Sequence, residues 1–153
     1  MFIMKFYIFL YRYLVLFFCL LIFFCFACQT NQEALGTSPS IEDHILKGNN
    51  YSDEGDYQNA ALEYTKAIDE NPNNALAYFS RGAVLHLLEQ HENAISDYSK
   101  AIEIDPSFML PYHNRGNAYK TLGMHDKADA DIIKVQELKN LLDETKKVST
   151  ESK

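Results

Sequence analysis

The most restrictive feature of this sequence is that it repeats itself at a fixed interval. Tyr78-Phe79-Ser80-Arg81-Gly82 returns as Tyr112-His113-Asn114-Arg115-Gly116. The same step links Ala60 to Ala94 and Ala128, Gly48 to Gly82 and Gly116, and Pro72 to Pro106. A fixed period of this length means stacked supersecondary units, none of which can bury its apolar face alone. In register the units run 41–74, 75–108 and 109–142, and each carries two segments of helical periodicity. In the first unit these are about Ile41–Ser52 and Tyr57–Asn71. Asp53-Glu54-Gly55-Asp56 turns the chain between them, and Gly123 stands at the same place in the third unit. Asn71-Pro72-Asn73-Asn74 and Asp105-Pro106-Ser107 separate the units, with Pro stopping one helix and Asn or Ser available to cap the next. The expected class is all-α, an α-solenoid of three helix-turn-helix units.

Within a unit the spacing has a packing reason. The three glycines fall on the first helix and the three alanines on the second, and small residues on both sides let helices approach closely. Tyr64 and Tyr98, then Ala67 and Ala101, extend the buried stripe of the second helix, while Tyr78 and Tyr112 add bulk to the first. Arg81 and Arg115 precede two of the glycines, either solvated or paired with acids such as Asp97 and Asp131. The third unit lacks the closing Pro. Ala128, Ile132, Val135, Leu138 and Leu142 keep helical spacing past Asn140, predicting a long last helix, about Asp126–Lys147, with a charged end that caps the stack and a frayed tail after it. Ile133 and Leu141 fall off that stripe, either lightly buried or in a contact between copies.

These residues resemble tetratricopeptide repeats over about 41–142. That pattern has an aromatic at position 4, Leu-Gly at 7–8, Tyr at 11, Ala at 20, Phe at 24, Ala at 27 and Pro at 32. The second unit fills the slots with Tyr78, Arg81-Gly82, Leu85, Ala94, Tyr98, Ala101 and Pro106. The first unit has His44 in the aromatic slot, and the third departs at Ile132, Val135 and Asn140. The resemblance implies a concave face lined by the first helices. Its apolar centre would be Ile45, Leu76, Phe79 and Leu110, and its polar surround Asn49, His86, His113, Asn117 and Lys120. Such a surface suits a protein or peptide ligand, extended or helical. One subgroup of the family clamps acidic chaperone tails with Lys and Asn, then Asn, then Lys and Arg from successive repeats. The matching slots here hold Ile45, Asn49, Ser80, Leu110 and Asn114; only Asn49 fits, and a tail carboxylate would lack its charge partner.

Other chemistries find little support. No Gly-rich phosphate loop, nucleophile elbow or carboxylate pair stands out, so no enzyme and no cofactor are expected. His44, His86, His91, His113 and His125 form no metal-ligand motif, and no metal is expected. His91 and His125 share one repeat slot, which suggests packing. Asp53-Glu54-Gly55-Asp56 lacks the spaced ligands and distal Glu of a calcium loop. Residues 1–28 hold two of the 14 basic residues and no acid, leaving 12 basic against 21 acidic in the rest. That balance disfavours nucleic acid.

Residues 1–28 carry Lys5 and Arg12, then an unbroken apolar run from Tyr13 to Ala27, then Cys28. The run is shorter than the ~20 apolar residues of a usual spanning helix and has the layout of an export signal. With Ala27-Cys28 at its end it resembles a bacterial lipoprotein signal, in which the Cys is lipidated and becomes the first residue. An uncleaved anchor and simple secretion are the other readings, and all three place the remainder outside the cytoplasm. Residues 29–40, with Gly36, Ser38, Pro39 and Ser40, read as a flexible tether, and Ser40 with Asp43 as a capping pair. The expectation is an extracytoplasmic repeat protein tethered to the cell-envelope membrane that binds a partner protein. The alternative is a structural subunit of a membrane complex held by an uncleaved helix.

Overall fold

The computed structural model describes residues 40–151. The apolar leader, Cys28, the tether up to Pro39 and the last two residues lie outside the described residues. Six helices follow one another: α1 Ile41–Asp53, α2 Tyr57–Glu70, α3 Ala75–Leu87, α4 His91–Ile104, α5 Met109–Thr121 and α6 His125–Glu151. No strand occurs among the described residues. The helices pair as α1–α2, α3–α4 and α5–α6; α2 packs on α3 and α4 on α5, and α3 also touches α5.

Local chemistry sets the helix ends. At α1 the Asp43 N–H donates to Ser40 Oγ (3.3 Å) and the Ser40 N–H to Asp43 Oδ2 (2.9 Å), the expected capping box. Asn74 caps α3 by accepting from the Ala77 N–H at 3.0 Å. At α5 the expectation fails. The residue at the cap position is Phe108, which has no side-chain cap. Ser107 instead turns back, its N–H and hydroxyl both donating to Asp105 Oδ1 at 2.9 and 2.6 Å.

Each first helix ends in the same double bond. The N–H groups of Asp56, Gln90 and Met124 reach Tyr51, Leu85 and Tyr119 carbonyls, while those of Gly55, Glu89 and Gly123 reach Ser52, His86 and Lys120. This geometry needs a left-handed residue, and Gly55 (φ 80°) and Gly123 (φ 72°) supply it without cost. Glu89 adopts it at φ 61°, with a side chain the conformation disfavours.

Ala60, Ala67, Ala94, Ala101 and Ala128 are fully buried, as expected. Two of the three glycines meet different partners from those expected. A Cβ on Gly48 would lie 2.5 Å from the Tyr64 ring, and one on Gly82 2.9 Å from the Tyr98 ring. At these two positions the close approach is thus glycine against tyrosine, whereas Gly116 has the expected Ala128 among its nearest neighbours, through the carbonyl oxygen. At Gly116 the tyrosine slot is Ile132, and a Cβ would meet nothing nearer than 3.5 Å.

The arginines are paired. Arg81 Nε and Nη2 donate to the two Asp97 carboxylate oxygens at 2.7 and 2.8 Å, and Nη1 to Thr65 Oγ1 at 3.2 Å. Arg115 repeats this with Asp131 at 2.9 and 2.7 Å and with Ser99 at 2.9 Å. Each arginine so ties its own hairpin together and ties it to the preceding repeat. Asp97 and Asp131 are buried, and bidentate pairing is what makes that burial tolerable. The first repeat differs. His44 is buried with Nδ1 2.7 Å from Glu63, whose other oxygen accepts from Lys66 at 2.7 Å.

α6 runs to Glu151, beyond the expected end at Lys147 and through Ser149, where fraying was expected. Its stripe is not buried throughout. Ile132 is 45% exposed and Leu142 44%, because no helix among the described residues covers the side on which the next repeat packs in the first two units. Ile133 and Leu141 are exposed rather than lightly buried.

Candidate functional site

The first helices, α1, α3 and α5, form the inner wall, and the contact between α3 and α5 brings their side chains into one surface. The nine expected groove residues divide into four sets there. Leu110 and His113, both exposed, line a cavity of about 650 Å³ at the α5–α6 end. His86 and Asn117 line a smaller one of about 250 Å³ with Tyr98 and Asn114. Leu76 and Lys120 are exposed on the same face.

The remaining three are partly taken up by packing. Ile45 sits against the buried Ala67, Ile68 and Ala77, with Ile41 and Tyr78 beside it. Phe79 is half-buried, its ring 5.1 Å from Phe108 and 6.1 Å from Tyr98. Asn49 is exposed, but its Oδ1 accepts from the Tyr64 hydroxyl at 2.7 Å. Apolar residues that curve toward a groove also lie at the joint between repeats, and that joint claims part of their surface. Phe79 therefore supports the floor, and His113 of the same repeat slot points at the opening.

The larger cavity has walls that the repeat register did not assign: Phe108, Val135 and Lys139. Phe108 carried a readable signal. Its slot holds Ser40 and Asn74 in the other units, both helix caps, so the third unit gives up a cap worth ~1 kcal/mol to place an aromatic ring there. Its ring contact with Phe79 returns a gain of ~0.5–1.5 kcal/mol, so the exchange leaves stability about level and sets an aromatic wall on the cavity. Val135 and Lys139 reach the cavity from the second helix of the third unit, α6.

Electrostatics follow from burial. Tyr98 is pushed up to about 12 by burial, with Asn114 beside its hydroxyl acting in the opposite direction. His86 is held below its ordinary value by burial and by His91. The His86 and His91 Nδ1 atoms are 3.0 Å apart. His125, in the slot of His91, is exposed, so the shared packing role expected of the two does not hold. Among the described residues no three His, Cys, Asp or Glu side chains converge as metal ligands. No helix among them is long and apolar enough to cross a membrane.

The packed two-helix units match known proteins. TPR repeat models match residues 48–89 and 84–123, and a tetratricopeptide repeat model matches 111–140. The TPR domain of Arabidopsis OM64 is 30% identical, with 67% of this chain aligned to 84% of that one at a TM-score of 0.65. The chain belongs to the tetratricopeptide repeat (TPR) family. The second TPR domain of Spaghetti (RPAP3), bound to the HSP90 peptide SRMEEVD, is 29% identical, covering 65% of this chain and 92% of that one at a TM-score of 0.63. The TPR2B domain of yeast Sti1, in a complex with an Hsp70 peptide, is 29% identical over 70% and 86% of the two chains at 0.67. No curated protein matches the sequence.

Against the TPR pattern, the Ile45, Asn49, Ser80, Leu110 and Asn114 slots bring no cation to the inner wall. Asn49 and Ser80 lie at the Tyr64 hydroxyl and Asn114 at that of Tyr98, so the polar members serve the tyrosines that the glycines admit. Lys120, exposed on α5, and Lys139, at the larger cavity, stand at other positions.

Proposed function

We propose that this TPR protein captures a segment of a partner protein on its inner face, with a bulky apolar side chain of that segment seated against Phe108, Leu110 and Val135. The cavity of about 650 Å³ carries the reading, since it is large enough for an aromatic or branched side chain and opens beside exposed Leu110 and His113. Lys139 at its rim suits an acidic or carbonyl group flanking the anchor. The peptide-bound TPR domains it resembles support a peptide mode, while the missing cation clamp argues against a chaperone tail as the ligand.

The repeat domain acts at the surface of an envelope membrane, extracytoplasmic, held there by a lipid on Cys28 through the 29–40 tether. The unbroken apolar run that ends in Ala27-Cys28 supports this part of the reading. Its task is scaffolding, keeping a partner close to the membrane.

A photo-crosslinker at His113 tests the first part in native membranes. A discrete adduct lost on Leu110→Glu is expected, and an adduct indifferent to Leu110→Glu sinks the inner-face reading. Cys28→Ala should abolish lipid labelling and leave an unprocessed chain. A wild-type chain that keeps Met1 in the membrane fraction instead establishes the uncleaved anchor.

A further inference from the structure

The second repeat differs from its sisters where its first helix hands over to its second. The His86 slot is Ser52 in the first repeat and Lys120 in the third, and the His91 slot is Tyr57 and then His125. Three repeats share one packing scheme, so packing does not demand imidazole at either slot. Only in the second repeat do both slots hold histidine, and there the side chains meet.

Their geometry is that of two ligands. The Nδ1 atoms are 3.0 Å apart, and the ring centroids 4.7 Å apart with the planes inclined at 55°. Two rings joined end to end through that contact would have more distant centroids, so the rings are bent relative to each other. Metal–nitrogen bonds of roughly 2.0–2.1 Å place two nitrogens about 2.9 Å apart at a right angle and about 3.3 Å apart at the tetrahedral angle. The observed 3.0 Å lies within that range, so both nitrogens reach one divalent cation with little movement, and imidazole suits Cu²⁺, Ni²⁺ and Zn²⁺. A cavity of about 250 Å³ opens beside His86 and presents Asn114 and Asn117.

We infer that His86 and His91 form a two-nitrogen seat for a divalent cation of the imidazole-binding class (Cu²⁺, Ni²⁺ or Zn²⁺) at the rim of the inner face. Without metal one Nδ1–H donates to the other Nδ1. On binding, that proton moves through solvent to Nε2 of the same ring, both Nδ1 lone pairs go to the cation, and no net proton is released. The cation staples the end of α3 to the start of α4 and leaves positions open toward the groove. This site is independent of the Phe108 cavity.

The test uses the full-length chain in detergent micelles with Cys19, Cys25 and Cys28 replaced by serine, since thiolates would otherwise take the metal. NiCl₂ is titrated by calorimetry, and the site is located by paramagnetic broadening of amide signals. One equivalent should bind, with broadening centred on residues 86 and 91. His86→Ser and His91→Tyr copy the first repeat and so retain a side chain that the slot accommodates. Each should weaken binding by ~10-fold or more, while His125→Ala, at an exposed histidine, leaves it unchanged. Absence of binding, binding unaffected by His86→Ser or His91→Tyr, or broadening centred elsewhere overturns the inference and leaves a plain histidine–histidine hydrogen bond.

Discussion

One substitution made at three equivalent positions should change sign along the array. Gly48, Gly82 and Gly116 occupy the same repeat slot inside helices, where alanine is favoured over glycine by ~0.8–1.0 kcal/mol. At Gly116 the added methyl meets nothing within 3.5 Å, an ordinary contact, so Gly116→Ala should keep that gain. At Gly48 the methyl would lie 2.5 Å from a carbon of the Tyr64 ring. The ring is buried and its hydroxyl is held by Asn49 at 2.7 Å, so it cannot slide aside freely. Overpacking of this kind costs ~1–3 kcal/mol, and Gly48→Ala should therefore lose up to ~2 kcal/mol net. Gly82→Ala, with the Tyr98 ring at 2.9 Å and Asp97 Cβ at 3.2 Å, should also fall below the parent. For a domain of roughly 100 residues each kcal/mol moves Tm by ~4–8 °C, so the overpacking cost should separate Gly116→Ala from Gly48→Ala by roughly 4–24 °C. Thermal melts of the full-length chain in micelles, followed by far-ultraviolet circular dichroism, read this directly. A Gly116→Ala melt below the parent, or a Gly48→Ala melt above it, refutes the glycine–tyrosine account.

Three other outcomes follow from the same contacts. Asp97→Ala leaves Arg81 partly buried without its carboxylate and should cost toward the low end of ~3–5 kcal/mol, because Arg81 keeps some access to solvent. Joint replacement of Arg81 and Asp97 by leucine should recover most of that, and a single-variant loss below ~1 kcal/mol in chemical denaturation would mean the pair is merely superficial. Glu63 is held below its ordinary 4.5, first by Lys66 and then by His44. The unfolded chain therefore binds the proton more readily, so this stability is complete above pH 4.5 and lost as pH falls through the lower folded value. Glu63→Gln should flatten that part of the acid-unfolding curve, and an unchanged slope would remove Glu63 from the account. Phe108→Asn restores a helix cap worth ~1 kcal/mol while losing the Phe79 ring contact, worth ~0.5–1.5 kcal/mol. Stability should stay within a few degrees in Tm, yet the His113 crosslink should disappear, and its persistence would take the anchor out of the Phe108 cavity.

Much of this architecture is legible in the sequence because it is local and repeated. Helix periodicity, the Ser40–Asp43 cap and the turn glycines act within a few residues, and three copies in register make the signal redundant. Fixed spacing also told which small residues lie inside, since Ala60, Ala94 and Ala128 recur where helices must touch. It did not tell what each glycine touches. That depends on side chains carried by another helix, and the partner proved to be tyrosine at Gly48 and Gly82 but not at Gly116. Nor did it decide between solvated and paired arginines, because Arg81 is bound by Thr65 and Asp97 from two different helices.

The groove divides along the same line. Placing residues on the first helices required only the period, and Leu76, Leu110 and His113 are exposed on the inner face. Tertiary packing decided that Ile45 and Phe79 are shared with the joints between repeats. It also brought Phe108 and Val135 from a loop and a neighbouring helix to the wall of one cavity, and set His86 against His91. A repeat period specifies which residues are equivalent, since equivalence depends on spacing alone. Which of them meet is fixed only when helices far apart in sequence pack, because burial and hydrogen bonding are settled by neighbours that the period does not name.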